Sequence, residues 1–328
     1  MSLHNTGTAG LSPELRTFYD RNLLARLLPR LVFMNFGQVK PMPRNEGQSV
    51  QYRGFNTLPV LPVDVNGKTV PMVEGVTPSS QDATMTTITA TPKQYGGWME
   101  ITDMVDFTSP DPVLTEFGQL LAEQAANTMD LLTRDVLSAG TNVQYANGKV
   151  STVTVAAGDN ITLLEVRKAV RTMQLNKVQK LTSMLNASTG VGTKPVPACY
   201  IGIVGPQTVY DLKGISQFVP VEQYGSAAGG TLPFEVGALD EVRFVLSNNS
   251  LIKAGAGAAG IDVHATLILA ADAYGMISPM GIENIIKGFG VNGNDPLNQR
   301  ATTGWKAFYT AAILQQLAVL RIEHAVSA

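Results

Sequence analysis

The 328-residue sequence has one cysteine, Cys199, and three histidines, His4, His264 and His324. A single thiol excludes an intrachain disulfide framework and makes a reducing compartment the default. Three scattered imidazoles give no metal-ligand spacing, so no metal and no cofactor is expected. No run of ~18 apolar residues occurs, so no membrane-spanning helix is expected. Residues 1–10 (MSLHNTGTAG) lack the apolar stretch of a secretory signal. Charge is also scarce. Only 15% of residues are Asp, Glu, Lys or Arg, against about 25% in an average soluble domain. The net charge of −2 offers no general attraction to nucleic acid or anionic lipid. Few charges on a chain that is 45% hydrophobic point to a surface largely covered by other subunits, because charge is depleted at interface cores.

Chemistry-bearing motifs are weak. Residues 255–260 (GAGAAG) fit the G-x-G-x-x-G dinucleotide pattern, but that pattern needs a helix N-terminus after it to receive phosphate. The following IDVHATLILAAD is strand-like, so a Gly/Ala loop is the favoured reading and a dinucleotide-binding enzyme the remote alternative. A Cys199–His264 nucleophile pair is conceivable, yet Cys199 lies in the apolar run ACYIGIV, where a thiol packs inertly. Adjacent Asp240 and Glu241 would face opposite sides of a strand and read better as a charged turn. No catalytic residue is assigned, and the chain is expected not to be an enzyme.

What is present is organisation. SPELRTFYDRNLLARLLPR reads as an amphipathic helix, with Ser12 as N-cap and Pro13 in the first turn. It carries Arg16, Arg21, Arg26 and Arg30. Two β-rich runs, SVQYRGFNTL and TMTTITATPKQYGGWMEIT, flank a proline-rich tip with a turn signal at Asn66-Gly67. As a hairpin, each arm would reach on the order of 55 Å, too far to fold back on its own body. After TSPDP the period becomes helical: Val113, Phe117, Leu120, Leu121, Met129, Leu132 and Val136 define one face of a helix over 111–139, roughly 40 Å long. A helix over 161–178, strands at ACYIGIVGP, EVRFVLS and HATLILAAD, and a short helix at PQTVYDLKGI follow. Residues 304–326 read as one long strand, because Trp305, Ala307, Tyr309, Ala311 and Ile313 alternate with smaller or more polar neighbours.

The order is a basic arm, a projecting hairpin, a spine helix, a compact α/β part and a return. It resembles the α+β capsid fold named after the Hong Kong 97 phage. The stretches LVFMNFGQ, EGVTP with TPKQYGGWMEITD, GPQTVYDLK and DPLNQRATTGWKAFYTAAIL are similar to major capsid proteins of the coliphage N-four type. The resemblance implies an N-arm (1–45), an E-loop hairpin region (46–98), a P-domain with the spine helix (99–150), an A-domain (151–273) and a return to the P-domain (274–328). It implies a viral major capsid protein, found in the virion and assembled in the host cytoplasm. Copies of itself, as hexamers and pentamers, would form an icosahedral shell around double-stranded DNA bound without sequence specificity. Portal and scaffolding proteins, the latter separate because no long charged leader precedes residue 11, and a decoration protein are the further partners it suggests. An encapsulin-like compartment shell is the alternative. Intersubunit contacts are expected at Arg16, Arg21, Arg26, Arg53, Asp64, Lys68, Glu74 and Asp82.

Overall fold

The computed structural model describes residues 32–42, 47–56, 58, 71, 74–75, 82–108, 113–187, 192–224, 231–290 and 295–327. The basic helix expected before residue 31 and the Asn66-Gly67 turn lie outside the described residues. In chain order the elements are β1 (Gln38–Lys40), β2 (Val50–Phe55), β3 (Met85–Ala90), β4 (Lys93–Thr102), α1 (Asp103–Thr108), α2 (Val113–Ser138), β5 (Val143–Tyr145), α3 (Leu163–Leu175), β6 (Tyr200–Val204), α4 (Pro206–Lys213), β7 (Val219–Pro220), β8 (Glu235–Leu239), β9 (Val242–Leu246), β10 (Ile252–Lys253), β11 (Val263–Leu269), β12 (Tyr274–Lys287), β13 (Arg300–Ile313) and β14 (Val319–His324).

These strands make three sheets. β2 and β3 pair alone as an antiparallel ribbon. A four-stranded sheet runs β1-β12-β13-β4, and an eight-stranded sheet runs β5-β14-β11-β6-β9-β8-β7 with β10 on β11. The spine helix α2 has 26 residues and packs against the four-stranded sheet. Its buried stripe is Leu121, Ala122, Ala125, Ala126, Met129, Asp130, Thr133 and Leu137. That stripe is richer in alanine than the sequence pattern suggests, and Leu120, expected on the inner face, is exposed. Small side chains let the helix axis approach the sheet closely, and two polar bridges fix its register. The Trp305 indole N–H donates to Gln124 Oε1 at 3.0 Å, and Thr133 Oγ1 meets Tyr309 Oη at 2.6 Å.

The expected strands at 200–204, 242–246 and 263–269 are all present, and all are largely or wholly buried. Asp240 and Glu241 do form the turn between β8 and β9, with Asp240 at φ 55°. The C-terminal stretch departs from expectation. Residues 304–326 are not one strand: β13 stops at Ile313, a single 3-10 turn (Gln316–Ala318) intervenes, and β14 enters the eight-stranded sheet between β11 and β5. Thus β12 and β13 lie in the spine helix's layer, whereas β14 does not.

β14 brings one buried cluster of polar and charged groups into the large sheet's core. Glu323 is fully buried and accepts Thr152 Oγ1 at 2.6 Å, Arg321 Nε at 2.8 Å and the Lys253 ammonium. Burial alone would raise its carboxyl, but the hydrogen bonds from Lys253 and Thr152 and the two cations hold it below the usual range. His324 faces His264 directly across the ladder, with ring centroids 6.3 Å apart. Its Nδ1–H donates to Ala325 O at 2.7 Å, which leaves Nε2 to accept from Thr266 Oγ1 at 3.0 Å. Burial pushes this neutral imidazole down from 6.5 to about 4. The unfolded chain therefore binds the proton more tightly, and stability is lost as pH falls from 6.5 towards 4. The loss expected is on the order of 3 kcal/mol. Denaturant titrations across this window are expected to show the acid-side slope, and His324→Gln is expected to flatten it.

Candidate assembly surfaces

From residue 34 to residue 89 no described residue is buried: the core passes from Phe33 directly to Ala90. This is the stretch containing β1, β2 and β3. The ribbon has only six residue pairs, Val50↔Ala90 through Phe55↔Met85, closed by Asn56 N–H donating to Thr84 O at 2.9 Å. The arms of about 55 Å expected from the sequence are thus longer than this six-pair ladder among the described residues. Phe55 and Met85 at its far end are exposed. An isolated two-stranded ribbon is marginal in water, so its root has to be held.

Two glycines hold it. A side chain at Gly275 would meet the Tyr52 ring at 2.5 Å, and one at Gly37 would meet the Tyr274 ring at 2.4 Å. The phenol end of Tyr52 therefore sits against bare β12 backbone at Gly275, and the Lys40 ammonium lies 4.9 Å from the ring centre while donating to Gln51 O at 3.0 Å. Tyr274, beside Gly275, is buried and donates through Oη to Phe33 O. Val32 and Phe33 donate their backbone N–H groups to Asp130 Oδ1 at 3.0 and 2.9 Å, and Asn249 Nδ2 donates to Oδ2 at 2.9 Å. Burial raises the Asp130 carboxyl, with the three hydrogen bonds and Arg134 opposing it. The point where the arm enters and the point where the hairpin leaves are thus fixed on the spine helix and on the start of β12.

The two large sheets end differently. The eight-stranded sheet ends on β5 and β7, of three and two residues. The four-stranded sheet ends on β4, ten residues long and bonded along one side only among the described strands. Long free edges recruit other chains, and short ones do not. The face of this sheet turned away from α2 is also open, with Trp98 67% exposed.

Of the residues expected at contacts, Arg53, Glu74 and Asp82 are exposed, and Arg53 Nη2 donates to Gln51 Oε1 at 3.1 Å. Arg16, Arg21, Arg26, Asp64 and Lys68 lie outside the described residues. Sequence reasoning missed Tyr52, Gly275, Gly37, Tyr274, Asp130 and Trp98, whose roles rest on contacts between distant positions.

Enzyme-like features do not assemble. Residues 255–260 form a loop with Gly255, Ala259 and Gly260 at positive φ, and it leads into β11 rather than a helix. The phosphate-binding geometry is therefore not there. Cys199 is buried, donates to Pro197 O at 2.8 Å, and burial pushes its thiol up to about 12. That is the opposite of an activated nucleophile.

A family model described as "Phage capsid protein" matches residues 85–322. The major capsid protein of Pseudomonas phage KPP21 is 26% identical over 175 residues, which is 51% of this chain and 44% of that protein, so the match spans under half of the relative's length. Among solved structures, the capsid of Ralstonia phage GP4 superposes with a TM-score of 0.67 at 11% identity, covering 89% of this chain and 87% of that one. The capsid of cyanophage P-SCSP1u gives 0.61 at 13% identity, covering 90% and 89%. At these identities the likeness is one of fold.

Proposed function

The chain belongs to the phage capsid protein family, and from that premise we propose that it builds an icosahedral shell around double-stranded DNA, as hexamers and pentamers of itself. Its work is structural rather than enzymatic. The observation that carries the reading is the stretch 34–89, in which no described residue is fully buried yet which is rooted on Gly275 and Gly37 with side-chain-free contact. A segment held so firmly at its base and so poorly covered beyond it gains its stability from neighbours.

The division of labour follows the sheets. Residues 1–45 serve as arm and 46–98 as hairpin region. The spine helix with β4, β12 and β13 is the plate on which neighbours rest. Residues 151–273, joined by β5 and β14, make the domain that meets its mates around the symmetry axes. Arg16, Arg21, Arg26, Arg53, Asp64, Lys68, Glu74 and Asp82 are assigned to contacts between copies. Portal, scaffolding and decoration proteins are the further partners, the virion is the final location and the host cytoplasm the place of assembly. The near-neutral charge suits a wall that confines DNA without gripping it. Family membership favours this cargo over the enclosed enzyme of a compartment shell.

Electron microscopy of the purified protein, with absorbance and nuclease digestion of its contents, tests the proposal. Closed, angular particles are expected, and particles from infected cells should contain nuclease-protected DNA. A protein that stays monomeric at every concentration, with or without scaffolding, would remove the reading.

A further inference from the structure

The loop that follows β9 is bolted to its own sheet. Ser247 N–H donates to Val204 O at the end of β6 at 2.9 Å, and Ala265 N–H of β11 donates to Leu251 O at 3.0 Å. Asn249 N–H donates to Ser247 Oγ at 3.2 Å. Ser250 stands over Gly205, where any side chain would collide with its hydroxyl. Asn249, in the middle of this loop, therefore moves with the eight-stranded sheet. From there it reaches the spine helix: Nδ2 donates to Asp130 Oδ2 at 2.9 Å, and its carbonyl accepts Arg134 Nη1 at 3.2 Å. The other oxygen of the same carboxyl, Oδ1, accepts Val32 and Phe33 N–H at 3.0 and 2.9 Å. Three parts of the chain, about a hundred positions apart, thus meet on one buried side chain. Beside it a crevice of about 450 Å³ opens between Val32, Asn127 and residues 246–249, which leaves room for the parts to shift.

We propose that Asp130 is a positioning residue that couples the chain's entry at Val32 to the seating of the eight-stranded sheet on the spine helix. The argument is geometric. A carboxyl is one rigid plane, so turning it to follow Val32 and Phe33 carries Oδ2 away from Asn249. Burial makes that turn costly, because an oxygen that leaves its donors finds no water to replace them. The two sides of Asp130 are therefore satisfied together or lost together. Linkage makes the effect reciprocal: whatever the entry segment does to the hold on Asn249, Asn249 does to the hold on the entry segment. Val32 and Phe33 also pack in the common hydrophobic core, which retains them whether or not Asn249 is bonded. Asn249 makes no hydrogen bond to either among the described residues, so any influence it has on them runs through the carboxyl. The use of the device rests on the shell reading: a neighbour that displaced one subunit's arm would loosen that subunit's own domain from its spine helix. The coupling belongs to the single subunit, so the two can fail separately.

Amide hydrogen exchange of the dilute full-length subunit, followed at Val32 and Phe33, tests the coupling. Asn249→Ala is expected to speed exchange at both amides at least about fivefold and to leave the β11 amides at their wild-type rates. Asn127→Ala, on the same crevice but without a bond to the carboxyl, is expected to change neither. Asp130→Ala is expected to speed both amides further, and adding Asn249→Ala to it is expected to change nothing more, the mark of two residues acting as one unit. Wild-type rates in Asn249→Ala would overturn the coupling. So would an undiminished effect of Asn249→Ala in the Asp130→Ala background, or a rise shared by β11, which would make general loss of stability the cause. Should Asp130→Ala fail to fold, the contrast between Asn249→Ala and Asn127→Ala decides alone. Failure of the protein to form particles bears only on the shell reading, because every measurement here is made on the single subunit.

Discussion

Replacing residues 58–82 by a two-residue Asn-Gly turn is expected to abolish closed shells while shifting the subunit's melting temperature by no more than about 2 °C. The small stability effect follows from burial. No described residue between 34 and 89 belongs to the core, and exposed positions without special contacts contribute within about 0.5 kcal/mol each way. The ladder from Val50↔Ala90 to Phe55↔Met85 remains, as does the bond from Asn56 N–H to Thr84 O. Tyr52 still rests on Gly275, so the root stays folded. What disappears is the reach beyond Phe55, and with it the proline-rich segment and the charges of Asp64, Lys68, Glu74 and Asp82. Light scattering and microscopy of the variant beside a thermal melt separate the two effects. Normal particles would remove the hairpin tip from assembly. A melting temperature lowered by ten degrees or more would show that the tip packs on its own subunit.

The same contrast explains what the sequence discloses. The spine helix is legible because a 26-residue helix repeats its apolar period seven times over. The strands at 200–204 and 263–269 are legible because each is a continuous buried run. The hairpin is legible because proline, threonine and valine cluster without a helical period. β12 is not: Pro279 and three glycines between 275 and 288 argue against a strand. The structure accommodates them with register shifts between Ile277 and Met280 and between Met280 and Glu283, which is where proline is tolerated in a sheet. Nor is the split between β13 and β14 legible, because both halves are apolar and alternating, and the change of sheet depends on what each half meets. The root of the hairpin is least visible of all. Tyr52 meets Gly275, and Phe33 meets Tyr274, across more than two hundred positions, and neither glycine carries a local turn signal that would mark it.

The largest stability effect is expected at a pair with no role in that outline. Arg243 and Glu235 are both buried, with Nε–Oε1 at 2.6 Å and Nη2–Oε2 at 2.5 Å. The same carboxylate accepts Tyr224 Oη at 2.7 Å and Leu232 N–H at 2.8 Å, so one buried charge ties together both ends of the segment 225–231. Arg243→Met leaves the buried Glu235 carboxyl without its partner, and the expected cost is about 3–5 kcal/mol. Adding Glu235→Met removes the orphaned carboxyl. The double variant is therefore expected to be more stable than Arg243→Met alone, although Tyr224 and Leu232 still lose their acceptor at about 1–3 kcal/mol for each unsatisfied group. Urea unfolding of the wild type, both single variants and the double variant gives the coupling energy directly. Additive losses would mean the pair contributes nothing as a pair. Strong coupling with incomplete recovery would show that the ion pair is retained for the loop ends that its carboxylate holds, since two well-packed apolar side chains would otherwise serve this strand pair equally well.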